Sequence, residues 1–328
     1  MFKIDCQSHI FPQSYIEILA QNPHPPQVVQ HGDESVITYG DVQQFRVGGS
    51  YTPNYDPKTK LDDMNRSGID VSVISTNIPG PCMLAPELAL SGAQAINNFI
   101  ADVIAQYPGR FAGIASLPWQ NPDDAIAELD RAIDELDFRA VMLYSHIGGR
   151  PVDHPDFAKV YAHAEARGMP IVLHPTVPTW GESIKDHWMI PMMGLQVDTS
   201  FALLRLILSG ILERYPQLQV VMPHVGGVLP YMIGRIDHQT EIMGRGRDRI
   251  TQPPSAYLRN VYLDIVSPSE QAIQYAYQFS GADRLVFGTD HPWVAPQIFI
   301  DLIEGMDIPT QAKARIFGEN AKTLFKLG

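Results

Sequence analysis

The stretch Ile4-Asp5-Cys6-Gln7-Ser8-His9 alternates apolar and polar side chains, and this alternation is the first of several that predict the fold. A period of two predicts a short β-strand, in which Asp5 and Gln7 lie on one face and Cys6 on the other as a small buried hydrophobe. His9 follows at the end of the strand. Polar side chains therefore gather at the carboxyl end of the first predicted strand.

Seven further strand patterns follow, each succeeded by a helical pattern. They cover residues 71–76, 111–116, 140–144, 171–174, 219–222, 261–264 and 285–287. Strict strand–helix alternation predicts a parallel sheet, and eight such units favour a closed (β/α)8 TIM barrel. An open doubly wound sheet is the alternative, although no glycine-rich phosphate-binding turn follows the first strand.

Two irregular stretches interrupt this alternation. Residues 21–57 contain several prolines and little periodicity apart from a short strand pattern at 35–39, and residues 175–197 are rich in Met, Pro and Trp. Long loops inside a compact domain are usually functional or disordered. We therefore expect a single barrel domain over residues 1–328, slightly elaborated by insertions at 21–57 and 175–197.

Composition and charge disfavour several classes of binding partner. The 328 residues carry a formal net charge of −12, which disfavours nucleic acid as a partner. No apolar run approaches the roughly 20 residues of a membrane helix, and no signal-peptide pattern is recognised. Only two cysteines occur, Cys6 and Cys82. These features predict a cytoplasmic protein that contacts neither membrane nor nucleic acid.

Histidines and acids recur where the predicted strands end. Together with the amide Gln7, these residues are Asp5, His9, His146, His174, His224, Asp264, Asp290 and His291. In a barrel, the carboxyl ends of all strands meet at one mouth, where active sites lie. Buried polar groups are costly without partners, and a divalent cation would satisfy several of them. Each residue alone has a structural explanation, such as capping a loop, but together they predict a metal site.

Several motifs carry a resemblance to a known family. They are Ile4-Asp5-x-Gln7-x-His9, Tyr107-Pro108-Gly109-Arg110-Phe111, His174-Pro175, Pro223-His224-x-Gly226-Gly227, Val228-Leu229-Pro230-Tyr231-x-x-Gly234-Arg235 and Gly288-x-Asp290-His291-Pro292. Their order and spacing resemble the amidohydrolase superfamily. The sequence is most similar to the branch that contains aminocarboxymuconate-semialdehyde decarboxylase and γ-resorcylate decarboxylase.

The resemblance implies roles for individual residues. His9, His174 and Asp290 would be metal ligands, and His224 and Asp290 would be catalytic. Arg235 would meet the substrate carboxylate of a neighbouring subunit, which implies a homodimer or a dimer of dimers. Arg46 would bind the carboxylate within its own subunit, because a guanidinium can bind a carboxylate with two hydrogen bonds. An exposed loop cation is the alternative for Arg46, and an interface salt bridge is the alternative for Arg235.

Two further residues are candidates for substrate binding, and one departs from the family pattern. Trp188 and His291 are expected near the substrate, although the aromatic residues of the second insertion could equally pack as a lid. Gln7 occupies the position that usually holds histidine or glutamate. An amide oxygen is a weaker ligand than either. Two imidazoles and one carboxylate favour zinc, with manganese or magnesium as alternatives.

Three functions compete at this site. The first is non-oxidative decarboxylation of a small aromatic or unsaturated carboxylic acid. The second is hydrolysis or hydration of a lactone, amide or unsaturated diacid, for which the metal would lower the pKa of its water toward about 7. The third is a degenerate barrel that only binds, which Gln7 alone supports. The first is the leading hypothesis.

Overall fold

The structure is a computed structural model that describes residues 1–32, 34–47 and 56–328, with only the backbone of residues 34 and 45–47. In the described part of the chain the strands are β1 Ile4–Ile10, β2 Gln27–His31, β3 Glu34–Thr38, β4 Gln44–Val47, β5 Val71–Thr76, β6 Phe111–Ala115, β7 Ala140–Tyr144, β8 His146–Ile147, β9 Arg150–Pro151, β10 Ile171–His174, β11 Val220–Met222, β12 Val261–Asp264 and β13 Leu285–Val286. Eight of them are parallel and form one sheet in the order β1-β5-β6-β7-β10-β11-β12-β13.

The first and last strands of this sheet meet and close it into a barrel. The Cys6 N–H donates to Phe287 O at 2.9 Å, and a parallel bridge joins Ser8 to His291. Between these two contacts the Asp290 N–H donates to Gln7 O at 2.8 Å. The predicted (β/α)8 barrel is therefore confirmed. Because closure pairs the start of the chain with its last strand, it brings residues 7–9 against residues 289–291.

Helices surround the barrel. Those described are α1 Gln13–Leu19, α2 Pro57–Ser67, α3 Pro86–Gln106, α4 Pro122–Asp134, α5 Ala158–Ala166, α6 Leu195–Leu208, α7 Ile211–Arg214, α8 Leu229–Asp237, α9 Pro254–Tyr257, α10 Glu270–Ser280, α11 Pro296–Gly305, α12 Thr310–Ala314 and α13 Asn320–Leu324. Local sequence sets their ends. The Asn121 side chain caps α4 with Pro122 at its first position, and Gly68, at φ 64°, ends α2.

One predicted helix is divided in the structure. The apolar pattern of 198–213 predicts a single helix, whereas the chain forms α6 and then the short α7. Gly210 separates them with φ 75°, a left-handed conformation that interrupts a helix and that glycine adopts without steric cost. Hydrophobic periodicity continues across the break because both helices pack on the same barrel.

The first insertion adds a small sheet, and the second adds helical turns. Strands β2, β3 and β4 pair antiparallel, with Gln27 opposite Thr38 and Val36 opposite Arg46. The second insertion contains short helical turns at Gly181–Ile184 and Asp186–Trp188 and a π-helical turn at Ile190–Gly194 that runs into α6. That residues 1–328 form a single domain stays a prediction.

Two helical runs, Pro86–Gln106 and Asp186–Leu208, are long and apolar enough to span a membrane by length and composition alone. In α3 the side chains of Ala89, Ile96, Ile100 and Val103 are buried, as in a core helix of a globular fold. The apolar character of α3 is therefore accounted for by its packing in the core.

We predict that Asn97→Leu destabilises the barrel. Asn97 is fully buried on α3. Its amide donates to Ser116 O at 2.9 Å and accepts from the Ser116 N–H at 2.9 Å. Leucine would leave these buried backbone groups unpaired, so the free energy of unfolding should fall by about 2–4 kcal/mol in urea titrations. The control is Asn98→Leu, an exposed neighbour that accepts from Arg131, where a change within about 0.5 kcal/mol is expected. Equal effects of the two variants would contradict this role.

Candidate metal centre and active site

Three side chains from distant parts of the sequence meet at the barrel mouth. His9 lies near the end of β1, His174 ends β10 and Asp290 follows β13, and their potential ligand atoms lie within 4.8 Å of one another. His9 Nε2 lies 3.0 Å from Asp290 Oδ1 and 3.2 Å from His174 Nε2. Two imidazole nitrogens and one carboxylate oxygen therefore face a common point.

Hydrogen bonds orient both imidazoles toward that point. The Nδ1–H of His174 donates to Pro175 O at 2.8 Å, which leaves a lone pair on Nε2. His9 Nδ1 lies 3.1 Å from Ser75 Oγ, at the end of β5. Burial, and next the neighbouring His9, lower the pKa of His174 to about 3. His174 is therefore neutral at physiological pH, the form that binds a metal.

His224 lies on the other side of the Asp290 carboxylate. Its Nε2 is 3.8 Å from Asp290 Oδ2. Burial works to raise the pKa of Asp290, but the contacts with His224 and His9 outweigh it and hold that pKa well below its usual range. Burial likewise works to lower the pKa of His224, and Asp290 outweighs it and raises that pKa. The two groups thus form a partly buried pair of opposite charge that can share a proton.

The backbone at this pair is held in unusual conformations. His224, Val225 and Asp290 have φ angles of 56°, 52° and 57°, and such strain gathers at functional sites. The His224 N–H donates to Asp264 Oδ1 at 2.7 Å, which fixes the turn. At Gly227 a Cβ would lie 2.7 Å from Gln196 O, so this position of the Pro-His-Val-Gly-Gly motif needs glycine to let the turn approach α6.

Asp5 and Gln7 have different surroundings on β1. The Asp5 carboxylate accepts from the Thr289 N–H at 3.0 Å and from Thr289 Oγ1 at 2.7 Å, so it supports the loop that carries Asp290. Gln7 is buried, and neither its amide oxygen nor its amide nitrogen has a hydrogen-bond partner among the described residues. Gln7 lies two residues before His9 on the same strand, and an orphaned buried amide there is a polar group that a bound ion would satisfy.

A cavity of about 350 Å³ opens beside these groups. His174, His224 and Asp290 form part of its wall. The remaining lining residues are mostly apolar or carry amides: Gln43, Gln44, Asn77, Ile78, Pro175, Val177, Trp188, Ile190, Pro191, Leu195, Gln196 and Trp293. The space suits one planar ring with a few polar substituents.

The structure brings most, but not all, of the predicted site residues to this cavity. Trp188 lines it, although its side chain is 64% exposed. Arg235 is exposed on α8 and is not among the lining residues. The backbone of Arg46 lies in β4, and its side chain lies outside the described residues. His146 is buried away from the ligands, with Nε2 2.9 Å from Val177 O.

His291 faces away from the cavity. Its Nδ1 lies 2.7 Å from Lys60 Nζ and its Nε2 lies 2.9 Å from Asp63 Oδ2, so both ring nitrogens are occupied. Burial and the nearby Lys60 lower its pKa to about 3. His291 therefore has no free ring nitrogen for the predicted contact with the substrate. Adjacency to Asp290 in the sequence did not indicate that the ring lies against Lys60 and Asp63 of α2.

Sequence reasoning missed other residues at the site. Ser75 contacts the ring of His9 and helps to orient it. The cavity is also lined by Asn77, Gln196 and Trp293. Ser75 and Asn77 lie at and just after the end of β5, so the expectation that polar residues at strand ends gather at the barrel mouth could have identified them. Gln196 and Trp293 lie in segments without a repeating pattern. Lys60 sits inside a helix with a charged sequence, and nothing local indicates its burial.

Comparison with known proteins gives one family. The amidohydrolase family model matches residues 4–327. The chain is 28% identical to the 2-amino-3-carboxymuconate-6-semialdehyde decarboxylase of Dictyostelium discoideum, over 97% of this chain and 90% of that protein. It superposes on the 2,6-dihydroxybenzoate decarboxylase of Rhizobium with a TM-score of 0.85 at 25% identity, covering 100% of this chain and 99% of the other. A dihydroxybenzoic acid decarboxylase from Polaromonas, solved with bound manganese, gives a TM-score of 0.80 at 24% identity, over 99% and 97% of the chains.

We predict that a divalent cation stabilises the protein through the three facing ligand atoms. A ligand that binds only the folded state at 100 times its dissociation constant adds about 2.7 kcal/mol. Adding Mn²⁺ or Zn²⁺ to chelator-treated protein should therefore raise the melting temperature by several degrees in calorimetry. His174→Ala should abolish the shift, whereas His238→Gln, at an exposed histidine on a helical turn, should preserve it. An equal shift in both variants would place the ion elsewhere.

Proposed function

Because the chain belongs to the amidohydrolase family, we propose that it is a metal-dependent decarboxylase of a small aromatic or unsaturated carboxylic acid. The relatives confirm the decarboxylase class predicted from the sequence. The observation in this chain that supports the proposal best is the cluster of His9, His174 and Asp290 facing a cavity sized for one ring. The reaction would release the carboxylate as carbon dioxide without oxidation.

The residues present fit a divalent cation. His9, His174 and Asp290 supply two imidazole nitrogens and one anionic oxygen, and Gln7 adds a buried amide without a partner among the described residues. We propose these four as the protein ligands. The imidazoles support zinc as the first candidate, while the oxygen ligands and the manganese-bound relative support manganese, with magnesium as the third candidate. When bound, the ion supplies electrostatic stabilisation of the negative charge that develops as carbon dioxide departs.

The protein's own groups would hold the substrate and supply a proton. Trp188 and Trp293 would contact the substrate ring in an apolar cavity that limits the access of water. The bond between the ring carbon and the carboxylate carbon breaks, and its electron pair stays on the ring carbon. A proton from the His224–Asp290 pair takes the vacated position, and solvent then restores that proton. Such general acid catalysis contributes typically 10²–10⁴-fold in rate.

Arg46 and Arg235 are proposed to bind the substrate carboxylate, Arg46 from the same subunit and Arg235 from a neighbour. Exposed apolar side chains on the helical run of Arg235 support a subunit contact there: Tyr231 is 82% exposed and Ile242 is 72% exposed. Such side chains are enriched at interfaces relative to other surfaces. A homodimer, or a dimer of dimers, would let Arg235 reach the cavity of its partner. We also propose a cytoplasmic location, which the two free, buried cysteines support.

His224→Asn tests the proposed proton transfer. Asparagine keeps a polar side chain in the turn but cannot exchange a proton near neutral pH. We expect kcat for decarboxylation to fall about 10²–10⁴-fold, with an unchanged circular dichroism spectrum and unchanged stoichiometric metal content. His238→Gln serves as the control. A variant that keeps at least a tenth of wild-type kcat would exclude His224 from the proton transfer.

Mixing two inactive variants tests whether Arg235 acts across subunits. Arg235→Ala and His224→Asn are each expected to be inactive alone. In a mixed dimer, one cavity would combine an intact His224 with an intact Arg235 from the partner. Random reassociation should therefore restore about a quarter of wild-type activity, because half of the dimers would each hold one complete site. No recovery in demonstrably mixed dimers would show that Arg235 acts within its own subunit, whereas an active Arg235→Ala variant would show that Arg235 has no role in the reaction.

A further inference from the structure

Lys60 is a buried lysine on a surface helix. It lies in α2, and only 1% of it is exposed, whereas Lys58 on the same helix has a side chain that is 75% exposed. Lysine is almost never fully buried unless its charge is paired or hydrogen-bonded. The position of Lys60 therefore calls for specific partners inside the protein.

Those partners match the donors of an ammonium group. Lys60 Nζ lies 2.7 Å from Ser8 Oγ, 2.7 Å from His291 Nδ1 and 3.3 Å from His291 O. An ammonium has three N–H donors and no acceptor, so all three donors find an acceptor here. The geometry thus accommodates all three donors of a Lys60 ammonium group.

The contact with Lys60 also fixes the state of His291. Because His291 Nδ1 accepts from Lys60, the ring proton must lie on Nε2, which is 2.9 Å from Asp63 Oδ2. Asp63 is in turn paired with Arg66 on the same helix. A continuous chain of charged and polar groups therefore leads from α2 to the loop after β13.

The two ends of this chain adjoin two of the proposed metal ligands. Ser8 directly precedes His9, and His291 directly follows Asp290. The His9 N–H donates to His291 O at 2.8 Å, and Lys60 donates to the same carbonyl. Lys60 thus joins the first strand to the last loop at the point where the barrel closes.

We infer that Lys60 is a positioning residue that sets the separation of His9 and Asp290 and thereby the affinity of the metal site. The inference rests on the proposed function, since that assigns the ion to these ligands. Groups behind metal ligands typically change metal affinity 10–100-fold when they are removed. Lys60 never touches the ion or the substrate. It acts by holding Ser8 and His291 together.

The test compares Lys60→Met with Lys58→Met in the full-length protein. Methionine keeps much of the apolar stem of lysine and removes the three donors. The dissociation constant for Mn²⁺ is measured by calorimetric titration of chelator-treated protein, and the melting temperature of the same metal-free protein is recorded beside it. We expect Lys60→Met to bind Mn²⁺ 10–100-fold more weakly and Lys58→Met to match the wild type within twofold.

A second variant keeps the test informative if Lys60→Met does not fold. Asp63→Asn leaves Lys60 in place and removes the charge at the far end of the chain, so it should weaken Mn²⁺ binding severalfold in a folded protein. Wild-type affinity in folded Lys60→Met, or in Asp63→Asn if Lys60→Met does not fold, would overturn the inference, even if the melting temperature falls. Wild-type protein that binds no Mn²⁺ would overturn the proposed metal site and this inference with it.

Discussion

The site depends on the pairing of the first strand with the chain after the last one. Asp290 donates its backbone N–H to Gln7 O, and His9 donates its own to His291 O, each at 2.8 Å. These two bonds bring residues separated by 281 positions to 3.0 Å between His9 Nε2 and Asp290 Oδ1. Closing a parallel barrel requires such long-range pairing in any case. Closing the barrel in this protein therefore also brings the proposed metal ligands His9 and Asp290 together.

Packing around this closure explains why the polar groups tolerate burial. Asp5 is buried, and burial raises its pKa to about 7 while Thr289 and Lys60 oppose that change. Its carboxylate accepts two hydrogen bonds from Thr289, so the loop that carries Asp290 is held by strand β1. The buried Gln7 amide, by contrast, is satisfied by no described residue. A metal ion would remove that cost, which couples ligand binding to the stability of the barrel.

Much of this arrangement follows from the sequence, for physical reasons. Period-two patterns, glycine and proline punctuation and the strand-end histidines predict the barrel and place His9, His174, His224 and Asp290 at one mouth. Local patterns do not reveal which way a side chain points after a strand ends, so the engagement of His291 with Lys60 and Asp63 was not foreseen. Nor do they show that Lys60 is buried, because its partners are 52 and 231 residues away.

The most direct test of this account follows the fate of the carboxylate with the metal present and absent. Chelator-treated protein, with and without added Mn²⁺ or Zn²⁺, is incubated in D₂O with single-ring hydroxylated carboxylic acids, and the products are analysed by mass spectrometry. The account predicts metal-dependent release of carbon dioxide and one deuterium at the vacated carbon. Incorporation of solvent oxygen into the product without release of carbon dioxide, or turnover that needs no metal, would contradict it.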